Sequence, residues 1–545
     1  MSTRSLRYGP LALVVISWLS APLRAETEPA SLTKAHRLED THQYVLACQA
    51  FDEIAKSDRD STEAREGYLR CLRIIHLERR HRDESFRTKL LGLKRPSDAL
   101  DVYEKVLVAL RDNYLDKDKV DVASLFRQGL LGLHFALLDE VFKSEYLSNV
   151  PTKDIEDFSN RLLELIDAKI QNEADAREKV KEVALAAVAL KLKPTVVIFE
   201  FTWGACNALD EYTTCLTPRQ WNDLHGNTKG NFIGIGVRLG VSAQKQLVIA
   251  KVFADSPAQD LLKPFDRILE INGHDISKFE FPNDLAKVGD LLRGDEGSTV
   301  ELKVESPGGM MMMGMVGARV VKVQRGRVPV RSVGDPLVLP PDDAKDASAV
   351  GYVRVNSFSD TTVQDLKSAI LRLESSGIDA LILDLRSNPG GSFPAGVKVA
   401  ELFMTEGVIA YKQGRDKEES HKALNPNAFL MPVVVLVDGD TASAAEVVAG
   451  ALKENNRARL IGETTFGKGS IQKLVQFDNK VPGGMRITVA HFLSPSNQPY
   501  HGQGVVPHRV IEQSENGSDT QLQAAKEEAR ALANAMRNMK MKMMQ

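Results

Sequence analysis

The run from Met431 to Gln472, MPVVVLVDGDTASAAEVVAGALKENNRARLIGETTFGKGSIQ, constrains this chain more than any other stretch. Val433 to Val437 is apolar, rich in β-branched residues and bounded by Asp-Gly-Asp, which predicts a short buried strand. Thr441-Ala442-Ser443 forms a turn of small residues. Val447, Val448, Ala451 and Leu452 then recur at helical spacing. Ser443 therefore stands where a strand gives way to a helix. A second strand over Arg457 to Ile461 leads to Phe466-Gly467-Lys468-Gly469, and alternation resumes at Ile471, Lys473 and Val475.

This arrangement suits a serine nucleophile with a lysine base. A serine hydroxyl is inert near neutral pH until a base takes its proton. A helix N-terminus beside it offers free N–H groups and partial positive charge for a developing oxyanion. Lysine serves as base only when neutral, so its reference pKa of about 10.4 must fall by roughly 3 units. Burial between glycines and apolar strands lowers it. Gly462 to Lys468 also satisfies GxxxxGK. Gly469, however, stands where a phosphate loop needs Ser or Thr, and a strand pattern follows in place of a helix. His491, His501 and His508 offer a conventional triad, but no spacing supports one.

The residues Thr441-Ala442-Ser443-Ala444-Ala445-Glu446, Ala449-Gly450-Ala451-Leu452, Arg457-Ala458 and Thr465-Phe466-Gly467-Lys468-Gly469 with Gln472 resemble the signature of the carboxyl-terminal processing peptidases. These are the tail-specific serine proteases of family S41. The resemblance implies Ser443 as nucleophile, Lys468 as base and Gln472 as the residue orienting that lysine. It extends over about 100 to 511. Asp384-Leu385-Arg386-Ser387-Asn388-Pro389-Gly390-Gly391 resembles a family turn. The N–H groups of Gly390 or Gly391, with that of Ala444, are the oxyanion candidates. Ala208-Leu209-Asp210-Glu211-Tyr212-Thr213 resembles the family segment Leu-Asp-Pro-His-Ser/Thr, with Glu-Tyr replacing Pro-His. The departure is expected to touch no catalytic role.

Residues 228 to 328 resemble a PDZ domain. Phe232-Ile233-Gly234-Ile235 matches its carboxylate-binding loop, and an edge strand follows to pair with a peptide backbone. Phe265 replaces a usual glycine. Gly308 to Gly317, with Met310 to Met313, is an insertion that reads as a hairpin tip. The implied partners are C-terminal tails of proteins or peptides, with an activating adaptor protein and a homo-oligomer as further partners. No nucleic acid, cofactor or metal is implied.

Arg4, Arg7 and the apolar run Leu11 to Leu19, ending in small residues by Ala25, read as an export signal over 1–25. That expectation places the mature protein in the periplasm or another extracytoplasmic space, with no integral membrane segment after cleavage. Residues 26–98 read as a helical region, with a helix pair over His42 to Ile54 and Ser61 to Leu77. Arg79 to Arg82 reads as a solvated basic face. Residues 99–227 read as a helical segment of the protease body. Residues 329–512 read as the peptidase core, with strands at Gly351 to Val355 and Ala380 to Leu385 and a helix over Thr362 to Ser375. Residues 513–545 read as a polar linker and a helix, solvated or bound to a partner or to the chain's own PDZ groove. Cys48 with Cys71, and Cys206 with Cys215, are candidate disulfides or free thiols.

The fold class expected is a multidomain α+β/α/β protein: N-terminal helices, a β-sandwich-like PDZ domain, a mixed βαβ core of ClpP/crotonase-like kind and a C-terminal helical tail. At 26% charged residues and net charge −3 over 545 residues, no charge bias points to nucleic acid. The function expected is an exported endopeptidase cleaving near protein C-termini. The alternative from another class is a catalytically silent PDZ scaffold that binds tails.

Overall fold

A computed structural model describes residues 30–58, 60–281, 284–306, 317–340, 348–514 and 518–544. The expected export signal and the run Met310 to Met313 lie outside the described residues. The chain forms two compact units, residues 1–79 and 80–545. In the first, α1 (Ala30–Asp40), α2 (Tyr44–Ser57) and most of α3 (Thr62–Arg82) pack around Leu32, Ala47, Phe51, Ala64 and Cys71. The expected helix pair is α2 with α3. Cys48 and Cys71 are buried and free.

The second unit opens with helices α4 (Pro96–Asn113), α5 (Val122–Leu138), α6 (Glu140–Tyr146), α7 (Thr152–Leu163), α8 (Glu173–Ala186) and α9 (Pro194–Cys206). Every residue of α9 from Thr195 to Cys206 is buried. Its single carboxylate, Glu200, corrects one expectation. Arg80 and His81 are not solvated; both are buried and bond Glu200, at 2.6 Å and 2.8 Å. A carboxylate enclosed by apolar residues needs such partners to stay charged. A short strand, β1 (Thr214–Leu216), and α10 (Pro218–Thr228) follow. Cys206 and Cys215, free and buried, stand with their sulfurs 3.7 Å apart.

The β-domain comes next. Strands β2 (Asn231–Gly234), β3 (Val237–Val241), β4 (Leu247–Val252), β5 (Arg267–Ile271), β6 (His274–Asp275), β7 (Thr299–Glu305), β8 (Arg319–Gln324) and β9 (Gly326–Pro329) accompany one helix, α11 (Leu285–Leu292). The main sheet has the order β3-β4-β5-β7-β8, so β3 is an edge; β2 pairs separately with β9. Ile249, Ile268, Val300 and Leu302 fill its core, and the helix adds Val288 and Leu292.

The core that follows is layered. Strands β10 (Leu337–Leu339), β11 (Val350–Arg354), β12 (Ala380–Asp384), β15 (Val433–Val437), β16 (Ala458–Gly462) and β19 (Arg509–Val510) make a sheet in that order, parallel except for β10. Helices α12 (Thr362–Ser375), α13 (Phe393–Glu401) and α14 (Ala444–Glu454) cover one face. On β15, Val433, Val435 and Val437 point to that face, while Val434 and Leu436 point to the other. The two-residue period of a strand, apolar on both sides, demands a cover on each. Helix α15 (Thr520–Met544) supplies the second, through Ala524, Ala525, Ala529 and Ala533. A second, antiparallel sheet joins β1, β13 (Val408–Gly414), β14 (Glu418–Lys422), β17 (Ser470–Gln476) and β18 (Gly484–Leu493).

Candidate active site

Ser443 lies between β15 and α14, as its sequence context predicts. Its φ of +58° is unusual for a residue with a side chain, a strain of order 1–3 kcal/mol that surrounding contacts must hold. Glu446, one turn into α14 and fully buried, provides the hold. Its Oε2 accepts the N–H of Ser443 at 2.7 Å and that of Lys468 at 2.9 Å. Its Oε1 accepts the N–H of Gly467 at 2.7 Å and the Thr465 hydroxyl at 2.6 Å. Each oxygen thus has two hydrogen-bond partners. Burial pushes this carboxyl upward, against the pull of those four donors. One buried carboxyl group thus fastens the serine turn and the lysine loop together.

A second set of bonds joins the serine turn to the glycine turn. Ala442 N–H donates to Asn388 O, and the Thr441 hydroxyl donates to Leu385 O, both at 2.9 Å. The Asp438 carboxylate accepts the N–H of Ser387. At Gly390, φ is +94° and a Cβ would fall 2.7 Å from Ser443 Cβ and 2.9 Å from Ala444 N. Only glycine allows this approach. Of the oxyanion candidates, Gly390 N–H is committed to Asn388 Oδ1 at 2.9 Å. The N–H groups of Gly391 and Ala444 donate no hydrogen bond among the described residues.

The Lys468 ammonium lies over the ring of Tyr212, 4.8 Å from its centroid. Among the described residues no hydrogen bond joins it to Ser443. Burial, helped by the charge of Arg486, lowers the Lys468 pKa to about 8; Asp210, Glu211 and Glu446 pull the other way. The Gln472 amide donates to the hydroxyls of Ser470 at 2.9 Å and Thr488 at 3.2 Å, with no hydrogen bond to the lysine. None of His491, His501 and His508 is hydrogen-bonded to Ser443. After Gly469 the chain enters β17, so no helix follows to complete a phosphate loop.

On the β-domain, Phe232, Ile233 and Gly234 belong to β2, in register with Val328, Arg327 and Gly326. Ile235 is buried in the domain core. The N–H groups of Ile235 and Gly236 donate no hydrogen bond among the described residues, and β3 beyond them has one open side.

Two residues escape the sequence reading. Glu446 was legible: Ser-x-x-Glu at a helix start is a capping signal, and an acid amid Ala and Val asks for buried donors. Tyr212 carried the opposite expectation. The substitution of Glu-Tyr in its segment was expected to touch no catalytic role, yet its ring contacts Lys468. That contact joins segments distant in sequence, which local pattern does not reveal.

The model of Peptidase family S41 matches residues 349–511, and that of the PDZ domain matches residues 223–305. A carboxyl-terminal-processing protease of Synechocystis sp. is 35% identical over 328 residues, which is 58% of this chain and 73% of that protein. The chain belongs to the carboxyl-terminal-processing protease family. This processing protease is also 32% identical over 310 residues to the carboxy-terminal processing protease CtpA of Bacillus subtilis, covering 56% of the one and 61% of the other. A solved photosystem II D1 C-terminal processing protease is 24% identical, covering 76% of this chain and 93% of that one, with a TM-score of 0.39. The protein is thus a serine-type C-terminal processing peptidase with a PDZ domain and a mixed α/β core. Among the described residues no helix is long and apolar enough to cross a membrane, and no group of acidic, His and Cys side chains is suited to a metal.

Proposed function

We propose that the protein is an exported endopeptidase that cuts protein substrates near their C-termini with a Ser443–Lys468 dyad. The observation that carries this reading is the Glu446 anchor, which binds the N–H groups of Ser443, Gly467 and Lys468 at one carboxylate. In the reaction, neutral Lys468 takes the Ser443 proton as the oxygen attacks the scissile carbonyl. The N–H groups of Gly391 and Ala444 receive the oxyanion, and Gly390 keeps them unobstructed. The lysine returns its proton to the leaving amine, and water, deprotonated in turn by the lysine, releases the acyl group. Gln472 ties Ser470, two residues after Lys468, to Thr488 of β18.

The PDZ domain selects the substrate. The free N–H groups of Ile235 and Gly236 suit a terminal carboxylate, and the open side of β3 suits an added peptide strand. Export rests on the basic and apolar pattern of residues 1–25. Adaptor activation and self-assembly remain parts of this proposal carried by the family resemblance.

The test is mass spectrometry of a model protein with an apolar tail, incubated with wild type, Ser443→Ala and Lys468→Ala. Products lacking the tail, formed by wild type alone, are the expected result. Cleavage by Lys468→Ala at the wild-type rate would overturn the lysine-base mechanism.

A further inference from the structure

Tyr212 lies outside both family-model matches, in the loop between α9 and β1. It occupies the position where this chain departs from the family segment. Its placement is well fixed. The Asp210 carboxylate accepts the N–H groups of Tyr212 and Thr213, at 2.9 Å and 2.6 Å, and the Tyr114 hydroxyl at 3.3 Å. The Thr213 hydroxyl accepts the N–H of Thr488 on β18 at 3.1 Å. The ring stands edge-on to His501. Helix α4, through the residue that follows it, and strand β18 therefore both hold the loop that presents this ring to Lys468.

We propose that Tyr212 is a positioning residue of the catalytic apparatus, whose ring face holds the Lys468 ammonium in a resting place off Ser443 and releases it as the neutral amine. This rests on the reading of Lys468 as the base. The attraction between a cation and an aromatic face exists only for the charged form. Loss of the proton therefore dissolves the contact and arms the base in one event. The other charged groups that act on the ammonium are Asp210 and Glu211 from the same loop, Glu446 from α14 and Arg486 from β18. None of them lies on Lys468's own loop. His501, edge-on to the tyrosine, has His491 beside it at a ring separation of 5.3 Å. Arg486 repels the ammonium and the three acids attract it, and replacing Tyr212 by leucine leaves those four groups in place.

The experiment follows the rate at which a fluorophosphonate labels Ser443 in the full-length protein across about pH 6 to 10, where a lysine base of this kind titrates. This readout needs neither a tail substrate nor the PDZ domain. Tyr212→Leu is expected to move the acid limb down by about half a pH unit, giving roughly threefold faster labelling below the limb. Tyr212→Phe, which keeps the ring face, is expected to keep the wild-type limb. A Leu variant with an unmoved limb, or with a uniform loss of rate at every pH, overturns the proposal, because a purely structural role lowers the rate without shifting the limb. Lys468→Ala labelled at the wild-type rate would instead remove the base assignment. An inert Lys468→Ala with an unmoved Leu limb sinks the tyrosine role alone.

Discussion

At the scale of single residues, the site depends on groups whose work is to hold others. Glu446 is the clearest. Glutamine in its place presents an NH2 group to two of the four donors, leaving two buried donors unmatched at about 1–3 kcal/mol each. Glu446→Gln is therefore expected to lower the thermal unfolding midpoint and to reduce kcat/KM by at least about tenfold, measured on one peptide substrate. Gly390→Ala places a methyl group against Ser443 and over the N–H of Ala444. Loss of one oxyanion donor costs about a hundredfold or more in kcat, and steady-state kinetics should show that loss. The pH dependence follows from Lys468. With its pKa lowered to about 8, the amine is protonated and idle below that value. The rate of Ser443 acylation should thus rise with pH through about 8 and level off above it; a limb near the free-lysine value would mean that burial does not tune the base.

Among the elements, α15 matters more than its composition suggests. Arg386, at the start of the glycine turn, is gripped from two sides. Asp384 takes its Nε and Nη2, at 3.0 Å and 2.8 Å, and Asp519 takes its Nη1 and Nη2, at 2.7 Å and 3.0 Å. Asp519 also caps α15 by accepting the Leu522 N–H at 2.9 Å. Because Asp519 is partly exposed, Asp519→Ala is expected to cost only about three- to tenfold in kcat, with KM little changed. Arg537→Ala, which breaks the pair with Asp379 elsewhere on the same helix, should leave kcat unaltered; equal losses in both variants would deny Asp519 its role. Much of this architecture was legible. Val433 to Val437 is the buried strand its apolar run predicts, and Thr362 to Ser375 appears as the helix its periodicity predicts. The docking of α15 was not, because alanines bury well yet carry little apolar signal. Arg80 and His81 were misread because a charge cluster shows its own sign and hides its partner. The lone Glu200 in PTVVIFEFTWGAC was the readable clue. The meeting of Lys468 with Tyr212 is tertiary, and no local pattern encodes it.

For the whole molecule, the selection and the chemistry proposed above belong to separate parts of one unit, and they should be separable in the test tube. Ser443→Ala protein is expected to bind a tail peptide with a free carboxylate at least about tenfold more tightly than its C-terminal amide, since charge-assisted hydrogen bonds are worth about 1.5–3 kcal/mol. Fluorescence anisotropy reads the difference, and equal affinities would count against carboxylate recognition at Ile235 and Gly236. One further consequence follows from the alanine-lined helix that roofs the sheet. Chain order is also the order of manufacture, and domains take shape as they emerge from the ribosome. The strands, the serine turn and the lysine loop are all made before residue 520. Until Ala533 has followed, Ile382, Val434 and Leu436 face water on that side. A partly made chain holds the serine turn and the lysine loop but lacks the roof over the sheet and the Asp519 grip on the glycine turn.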